Sequence, residues 1–237
     1  MKKGIAASKG YAIGTVFIQE HEEIIISDAK VSDIAAEKEK LSKALAQSKE
    51  QLEAIKEKTA NEIGEHEAQV FEAHLMLLDD VEFTGQMEMT IENDQLNAMK
   101  AVQNVTDTFV MIFDSMDDPY MRERAADIKD VSKRIIANLA GKGGNGMENV
   151  GANTVVVAHD LTPSDTAQLD RSKVVGFITN IGGRTSHAAI MARTLEIPAV
   201  LGLGDITSAV KTGDKIIVDG ITGDVIINPS EDVIAEY

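Results

Sequence analysis

Gly182-Gly183-Arg184-Thr185-Ser186-His187 runs directly into the alanine-rich Ala188-Ala189-Ile190-Met191-Ala192-Arg193. Two glycines, two hydroxyls and a histidine ahead of an apolar run predict a tight loop opening into a helix. Glycines let a ligand approach the backbone closely, and the hydroxyl of Thr185 or Ser186 suits the N-cap. The free N–H groups and positive dipole end of the helix favour an anion, above all a phosphate. His187 would stand in the first turn, at the mouth of that anion site. The positive helix end favours the neutral imidazole, the form that attacks phosphorus. Loop N–H groups, hydroxyls and Arg184 would stabilise the phosphoryl oxygens in transit. Phosphoryl transfer is mostly positioning and charge stabilisation, so these parts suffice for a group carried on histidine. Taken singly, they also fit a glycine turn, a capped helix and an incidental surface histidine.

The run from Gly182 to Gly202, closing with Ile197-Pro198-Ala199-Val200-Leu201-Gly202, resembles the phosphohistidine loop of the enzymes that use phosphoenolpyruvate. These are Enzyme I of the sugar phosphotransferase system, and pyruvate phosphate dikinase and its relatives. The resemblance makes His187 the phosphorylated residue. Upstream, Asp160-Leu161-Thr162-Pro163-Ser164-Asp165-Thr166-Ala167-Gln168-Leu169 is similar to the corresponding Enzyme I loop, which implies that Thr166 hydrogen-bonds the histidine and fixes its tautomer. The residues alone also read as a helix start, with Thr162 as cap, Pro163 in the first turn and Thr166 one turn inside. The two readings are compatible. The segments Gly4 to Gly14, Phe71 to Asp80 and Glu123 to Asp130 resemble Enzyme I as well. The dikinases share the histidine loop but not the helical middle.

Enzyme I membership implies reversible exchange of a phosphoryl group between His187 and a histidine of the carrier protein HPr. It implies His187 as nucleophile and carrier, Thr166 as its orienting partner, and Arg184 on the phosphoryl oxygens. Gly182, Gly183, Thr185 and Ser186 form the phosphate loop. The implied HPr contacts carry over to Glu65, His66, Ala73, Met76, Leu77 and Asp80, with Arg124 beside them. Met76 and Leu77 equally suit a bundle core, and His66 stands where the family often has an acidic residue. Phosphoenolpyruvate and Mg2+ belong in the family to a separate carboxy-terminal barrel. The expected chain is therefore an amino-terminal half, an excised fragment or a natural short form, with residues 231–237 starting a connecting helix. Such a chain would not charge itself from phosphoenolpyruvate, and would be monomeric where the whole enzyme is a homodimer. Two other classes stand beside this one: the swivelling domain of a dikinase-like enzyme, and a non-catalytic module that docks HPr.

The remaining histidines carry less. His74 falls on an apolar helix face and suits packing or an interface. His159 precedes the Thr162-Pro163 turn, as a strand end or a neighbour of the site. His21 belongs to no motif. No pair has His-Glu-x-x-His or comparable spacing, so no metal site is expected in this chain.

The elements that must position these groups follow from composition and periodicity. A chain of 237 residues has room for two modest domains. Its 39 acidic and 23 basic side chains give −16. That argues against nucleic acid and anionic membranes as partners and for a basic protein. There is no cysteine, hence no disulfide framework. Met1-Lys2-Lys3-Gly4-Ile5 is too short and broken for a signal peptide, and no apolar run approaches the ~20 residues of a membrane span. A cytoplasmic home is expected.

Residues 12–18 are β-rich, and Ile24-Ile25-Ile26 suggests a further short strand. From Ser32, a candidate cap, Ile34, Leu41, Leu45, Leu52, Ile55 and Ile63 mark one face of a long helix. A second helix holds Val70 to Leu78. A third spans about 95–116, with Met99, Val102, Val105, Phe109, Ile112 and Phe113 on its apolar side. Asp118 and Pro119 start a fourth, with Ile128, Val131, Ile135 and Leu139 aligned. Gly141-Lys142-Gly143-Gly144-Asn145-Gly146 reads as a linker. Beyond it, 154–158, 174–178, 215–218 and 224–227 are short β-branched runs, the last two joined by a hairpin turn at Ile221-Thr222-Gly223-Asp224. The expected architecture is an α/β swivelling phosphohistidine domain of residues 1–20 and 148–230, with an all-α antiparallel helical bundle, the HPr-binding domain, inserted at 21–147. Residues 33–140 hold 23 acidic and 12 basic side chains, so most of the negative charge falls in that insert. A solvated bundle surface and a dock for a basic partner both fit it.

Overall fold

A computed structural model describes residues 1–20, 24–142 and 150–237. His21 and the linker residues Gly143, Gly144, Asn145 and Gly146 lie outside the described residues, as do the expected boundaries at 20/21 and 147/148. The chain forms an α/β unit, Met1–Glu22 with Asn145–Tyr237, and an all-α unit, Glu23–Gly144.

The all-α unit contains α1 (Ile34–Glu62), α2 (Glu65–Asp79), α3 (Val81–Asp94), α4 (Ala98–Asp114) and α5 (Pro119–Leu139). Asp33, not Ser32, caps α1, because only residue 33 immediately precedes the first helical residue. Its carboxylate accepts from the Ala36 N–H at 3.0 Å. Asp118 caps α5 ahead of Pro119. The buried stripe of α1 is Leu41, Ala44, Ser48, Leu52 and Thr59, with Leu45 and Ile55 at its half-buried margin. The α3 helix has no counterpart among the sequence expectations. Only Phe83, Met87 and Ile91 are buried along it, three apolar positions four apart that do not rise above their polar surroundings. Asp80 separates it from α2, ending one helix and capping the next. Ile112, expected on the apolar side of α4, is exposed. At that end of α4 the packing comes from Phe109, edge-on to Phe83 at 5.4 Å, and from its neighbour Phe113. The triple isoleucine forms no strand. Ile25 is 91% exposed, and the nearby ladder pairing is a single bridge between Lys30 and Leu96. An apolar run without a partner strand has nowhere to place its N–H and C=O groups except water.

The α/β unit is one eight-stranded sheet. Its strands are β1 (Lys2–Lys3), β2 (Ile5–Ser8), β3 (Tyr11–Ile18), β4 (Thr154–Ala158), β5 (Val174–Thr179), β6 (Ala199–Leu201), β7 (Lys215–Asp219) and β8 (Asp224–Ile227). They lie in the order β1-β8-β7-β3-β4-β5-β6-β2. The run β3-β4-β5-β6 is parallel, and the flanking pairs are antiparallel. The helices are α6 (Pro163–Ala167), α7 (His187–Leu195), α8 (Ile206–Ala209) and α9 (Glu231–Glu236). Period-two alternation sends Val16, Val155, Val157, Ile178, Val200, Ile216 and Val218 into one core. Val156 and Phe177, on the other face, are also fully buried, as a parallel sheet covered on both sides requires. The β7–β8 turn forms as expected, with the Asp219 carboxylate accepting from the amides of Ile221 and Thr222. The β1, β2 and β6 strands were not foreseen, being two to four residues long. Because β4 and β5 are parallel neighbours, the loops after them lie side by side at their carboxyl ends, where α6 and α7 touch. Open α/β sheets place their ligand sites at such carboxyl ends.

Candidate active site

The loop after β5 begins with Gly182 at φ +116°, a conformation that L side chains rarely adopt, so glycine is required there. At Gly183 an added Cβ would meet nothing within 4 Å, so that glycine leaves open space rather than relieving a clash. Ser186 is the N-cap of α7. Its hydroxyl donates to the Gly183 carbonyl at 2.7 Å and accepts from the Ala189 N–H at 3.3 Å. Of the two hydroxyls read as possible caps, Ser186 is the one used, and Thr185 is exposed. His187 is the first helical residue. The amides of Gly183, Arg184 and Thr185 have no acceptor among the described residues. A half-buried histidine therefore shares a helix N-terminus with unsatisfied donors, an arrangement suited to a bound anion.

The loop after β4 supplies the second half. Thr162 and Asp165 form a capping box. The Thr162 hydroxyl accepts from the Asp165 N–H, and the Asp165 carboxylate accepts from the Thr162 N–H. Pro163 occupies the first turn, and Gln19 donates to Asp165 at 2.9 Å. This rigid turn presents Thr166, 1% exposed, with Oγ1 3.1 Å from His187 Nε2. The same oxygen lies 3.0 Å from the Pro163 carbonyl and 3.3 Å from that of Thr162. A hydroxyl has one proton, so it donates either to the ring or to a carbonyl, and in the second case accepts from a protonated Nε2.

Two features of the site were not read from sequence. Asn180, buried at the end of β5, accepts from the Thr207 N–H at 3.1 Å, which fixes its amide orientation. Its Nδ2 donates to the Thr207 hydroxyl and to His159 Nδ1, the latter at 3.1 Å. His159 is thereby a loop-holding residue, and its carbonyl also receives the Ile181 N–H. Arg193 sends Nη1 to the Ala7 carbonyl at 3.0 Å and Nη2 to the Arg184 carbonyl at 2.8 Å. Backbone acceptors leave no residue-type signal in the sequence. The Arg184 side chain is exposed and has no ion pair among the described residues.

The expected docking residues belong to the all-α unit. Glu65 and His66 are exposed at the start of α2, Ala73 is half-buried, and Met76 is 58% exposed. Leu77 is 3% exposed and faces the bundle core, so it is closed to a partner. Asp80 caps α3, and Arg124 is half-buried on α5. His74 is a core residue. Its Nε2 lies 3.1 Å from Asp127 on α5, and its ring meets Phe71 edge-on. Among the described residues, no three His, Cys, Asp or Glu side chains gather as metal ligands, and no helix is long and apolar enough to cross a membrane.

Comparison with known proteins bears on both units. The sequence pattern of the N-terminal domain of PEP-utilising enzymes matches residues 3–124, and that of their mobile domain matches residues 150–223. A phosphoenolpyruvate-protein phosphotransferase of Enterococcus faecalis is 50% identical over 238 residues, covering 100% of this chain and 41% of that protein. One from Geobacillus stearothermophilus is 47% identical over 234 residues, covering 99% of this chain and 40% of the relative. The chain thus spans about 41% of the length of such relatives. A solution NMR structure of an Enzyme I protein, 46% identical, superposes with a TM-score of 0.88 over 100% of this chain and 96% of the other. The N-terminal domain of the nitrogen Enzyme 1, 26% identical, gives 0.68 over 100% and 98%.

Proposed function

The chain belongs to the PEP-utilising enzymes, with their N-terminal and mobile domains, and from that premise we propose that it carries a phosphoryl group on His187 and exchanges it with the histidine of HPr. The observation that carries the reading is the contact between the Thr166 hydroxyl and His187 Nε2 beside the unsatisfied amides of the loop. The phosphorus of phosphorylated HPr is attacked in line by the neutral His187 ring. A new P–N bond forms as the donor's P–N bond breaks, and the donor imidazole leaves with the electron pair. Thr166 holds the ring until attack. Its hydroxyl can then turn to the Pro163 carbonyl, so releasing Nε2 strands no buried donor. The amides of Gly183, Arg184 and Thr185, with the Arg184 guanidinium, face charge on the transferring oxygens.

The acidic all-α unit is the dock for HPr, through Glu65, His66, Ala73, Met76, Asp80 and Arg124. Phosphoenolpyruvate and Mg2+ belong to the part of the relatives beyond the match with this chain, and dimerisation goes with that part. Every step here uses protein groups alone, in the cytoplasm. The test is the intact mass of the 237-residue chain after mixing with phosphorylated HPr. The expected result is one added phosphoryl group, labile in acid, stable in base and absent in His187→Ala. No added mass while HPr still binds would overturn the carrier reading and leave a docking module. Labelling by phosphoenolpyruvate and Mg2+ alone would overturn the placement of that chemistry elsewhere.

A further inference from the structure

We infer that Arg193 is a positioning residue for the phosphoryl group, acting through the peptide bond between Arg184 and Thr185; the inference rests on the carrier reading of His187. Arg193 lies two turns into α7, and its guanidinium divides between two carbonyls. Nη1 donates to Ala7 on β2 at 3.0 Å, and Nη2 donates to Arg184 in the histidine loop at 2.8 Å. The two donors of a planar fork cannot move independently, so the loop is tied to the edge strand of the sheet through one rigid group.

The consequence lies on the opposite side of that peptide. No peptide bond among the described residues is cis. In a trans peptide the C=O of one residue and the N–H of the next point in opposite directions. Fixing the Arg184 carbonyl toward α7 therefore fixes the Thr185 N–H away from Arg193, as one of the loop amides with no acceptor among the described residues. A positive donor on the carbonyl also polarises the amide and makes its N–H a stronger donor. The other anchors of the loop do not do this. The Ser186 hydroxyl and amide both return to the Gly183 carbonyl, so neither bonds the Arg184–Thr185 peptide. Among the described residues no other group donates to the Arg184 carbonyl. Arg193 is the group that holds it.

The role separates from a generic helix–strand tie by its readout. In the 237-residue chain, Arg193→Gln and Arg193→Lys are compared with wild type for phosphoryl transfer from phosphorylated HPr and for HPr affinity. The Thr185 amide proton shift is followed by NMR without any donor present. The expected result for Arg193→Gln is transfer at saturating HPr slowed about tenfold to a hundredfold, the size of effect that misplacement of about 1 Å produces. HPr affinity stays within about twofold in either variant, a change under ~0.4 kcal/mol. Arg193→Lys, which keeps the charge but not the fork, recovers part of the rate. The Thr185 amide signal moves upfield in Arg193→Gln, as a less polarised donor does, while the bundle signals stay in place. Transfer at the wild-type rate in Arg193→Gln would overturn the inference. So would a rate loss with an unchanged Thr185 signal, which marks a purely structural tie. If wild type itself takes no phosphoryl group, the carrier reading fails, and the Thr185 signal alone decides whether Arg193 aims that amide.

Discussion

At the scale of single residues, the site depends on Thr166 more than its size suggests. Its hydroxyl sits among three partners, the His187 ring and two carbonyls. Thr166→Val keeps the shape and loses the bond. Transfer should slow by about 10- to 100-fold, the loss that a metal-ligating histidine shows without the group that orients it, taken here as the scale for an orienting hydrogen bond. Thr166→Ser should stay near wild type, and quenched-flow transfer from phosphorylated HPr measures both. Equal rates for valine and threonine would show that the ring needs no orientation from this side. The capped glycine loop ahead of His187 was legible because hydroxyls, glycines and a histidine announce themselves by type, and the Thr166–His187 contact was legible through the family resemblance. The ties made by Arg193 and Asn180 were not. Their partners include backbone carbonyls, a backbone N–H that any residue would supply, and a histidine that the sequence left between a strand end and a neighbour of the site.

At the scale of elements, long periodic helices were legible and short or sparse ones were not. The stripe of α1 was visible over many turns, and the β-branched runs of β4, β5, β7 and β8 fell where they form strands. The two residues of β1 and the three of β6 are too few to show alternation, and their place comes from the ladder that receives them. Helical spacing alone could not divide Met76 from Leu77, since neighbours on α2 face different ways only once the bundle assigns a core. The structure divides them, and the pair makes a prediction. Leu77→Ala should cost about 2–5 kcal/mol of stability in urea unfolding, the usual loss for a buried leucine. Met76→Asp should leave stability nearly unchanged and weaken HPr binding by about tenfold, or ~1.4 kcal/mol. A destabilised Met76→Asp with normal HPr affinity would remove α2 from the dock.

At the scale of the whole molecule, charge and connectivity set the behaviour. Burial pushes the Asp219 carboxyl up, but the amides of Thr222 and Ile221 and the hydroxyls of Thr222 and Tyr237 together outweigh it and hold it below the usual carboxylate range. The Lys2 ammonium, donating to Asp205 and attracting its charge, holds that carboxyl low as well. A carboxyl with a folded-state pKa below its unfolded value stabilises fully above about pH 4 and loses that contribution as pH falls through the folded value. Wild type and Asp219→Asn should therefore differ in stability at pH 7 and converge in acid, as pH falls through the lowered folded-state value, in paired urea titrations. A gap that persists in acid would place the effect in packing rather than ionisation. The sheet, finally, is sewn from two distant stretches: β3 lies between β7 and β4, whose residues come after the entire bundle in the chain. Synthesis is vectorial, so the bundle is whole while β1, β2 and β3 still wait for the strands they pair with. Its contacts are local and fast to form, whereas the sheet must close across the length of the insert. His187 is thus among the last groups to find its place, and, on the proposed function, a nascent chain would hold its docking surface before it held a site that could exchange anything.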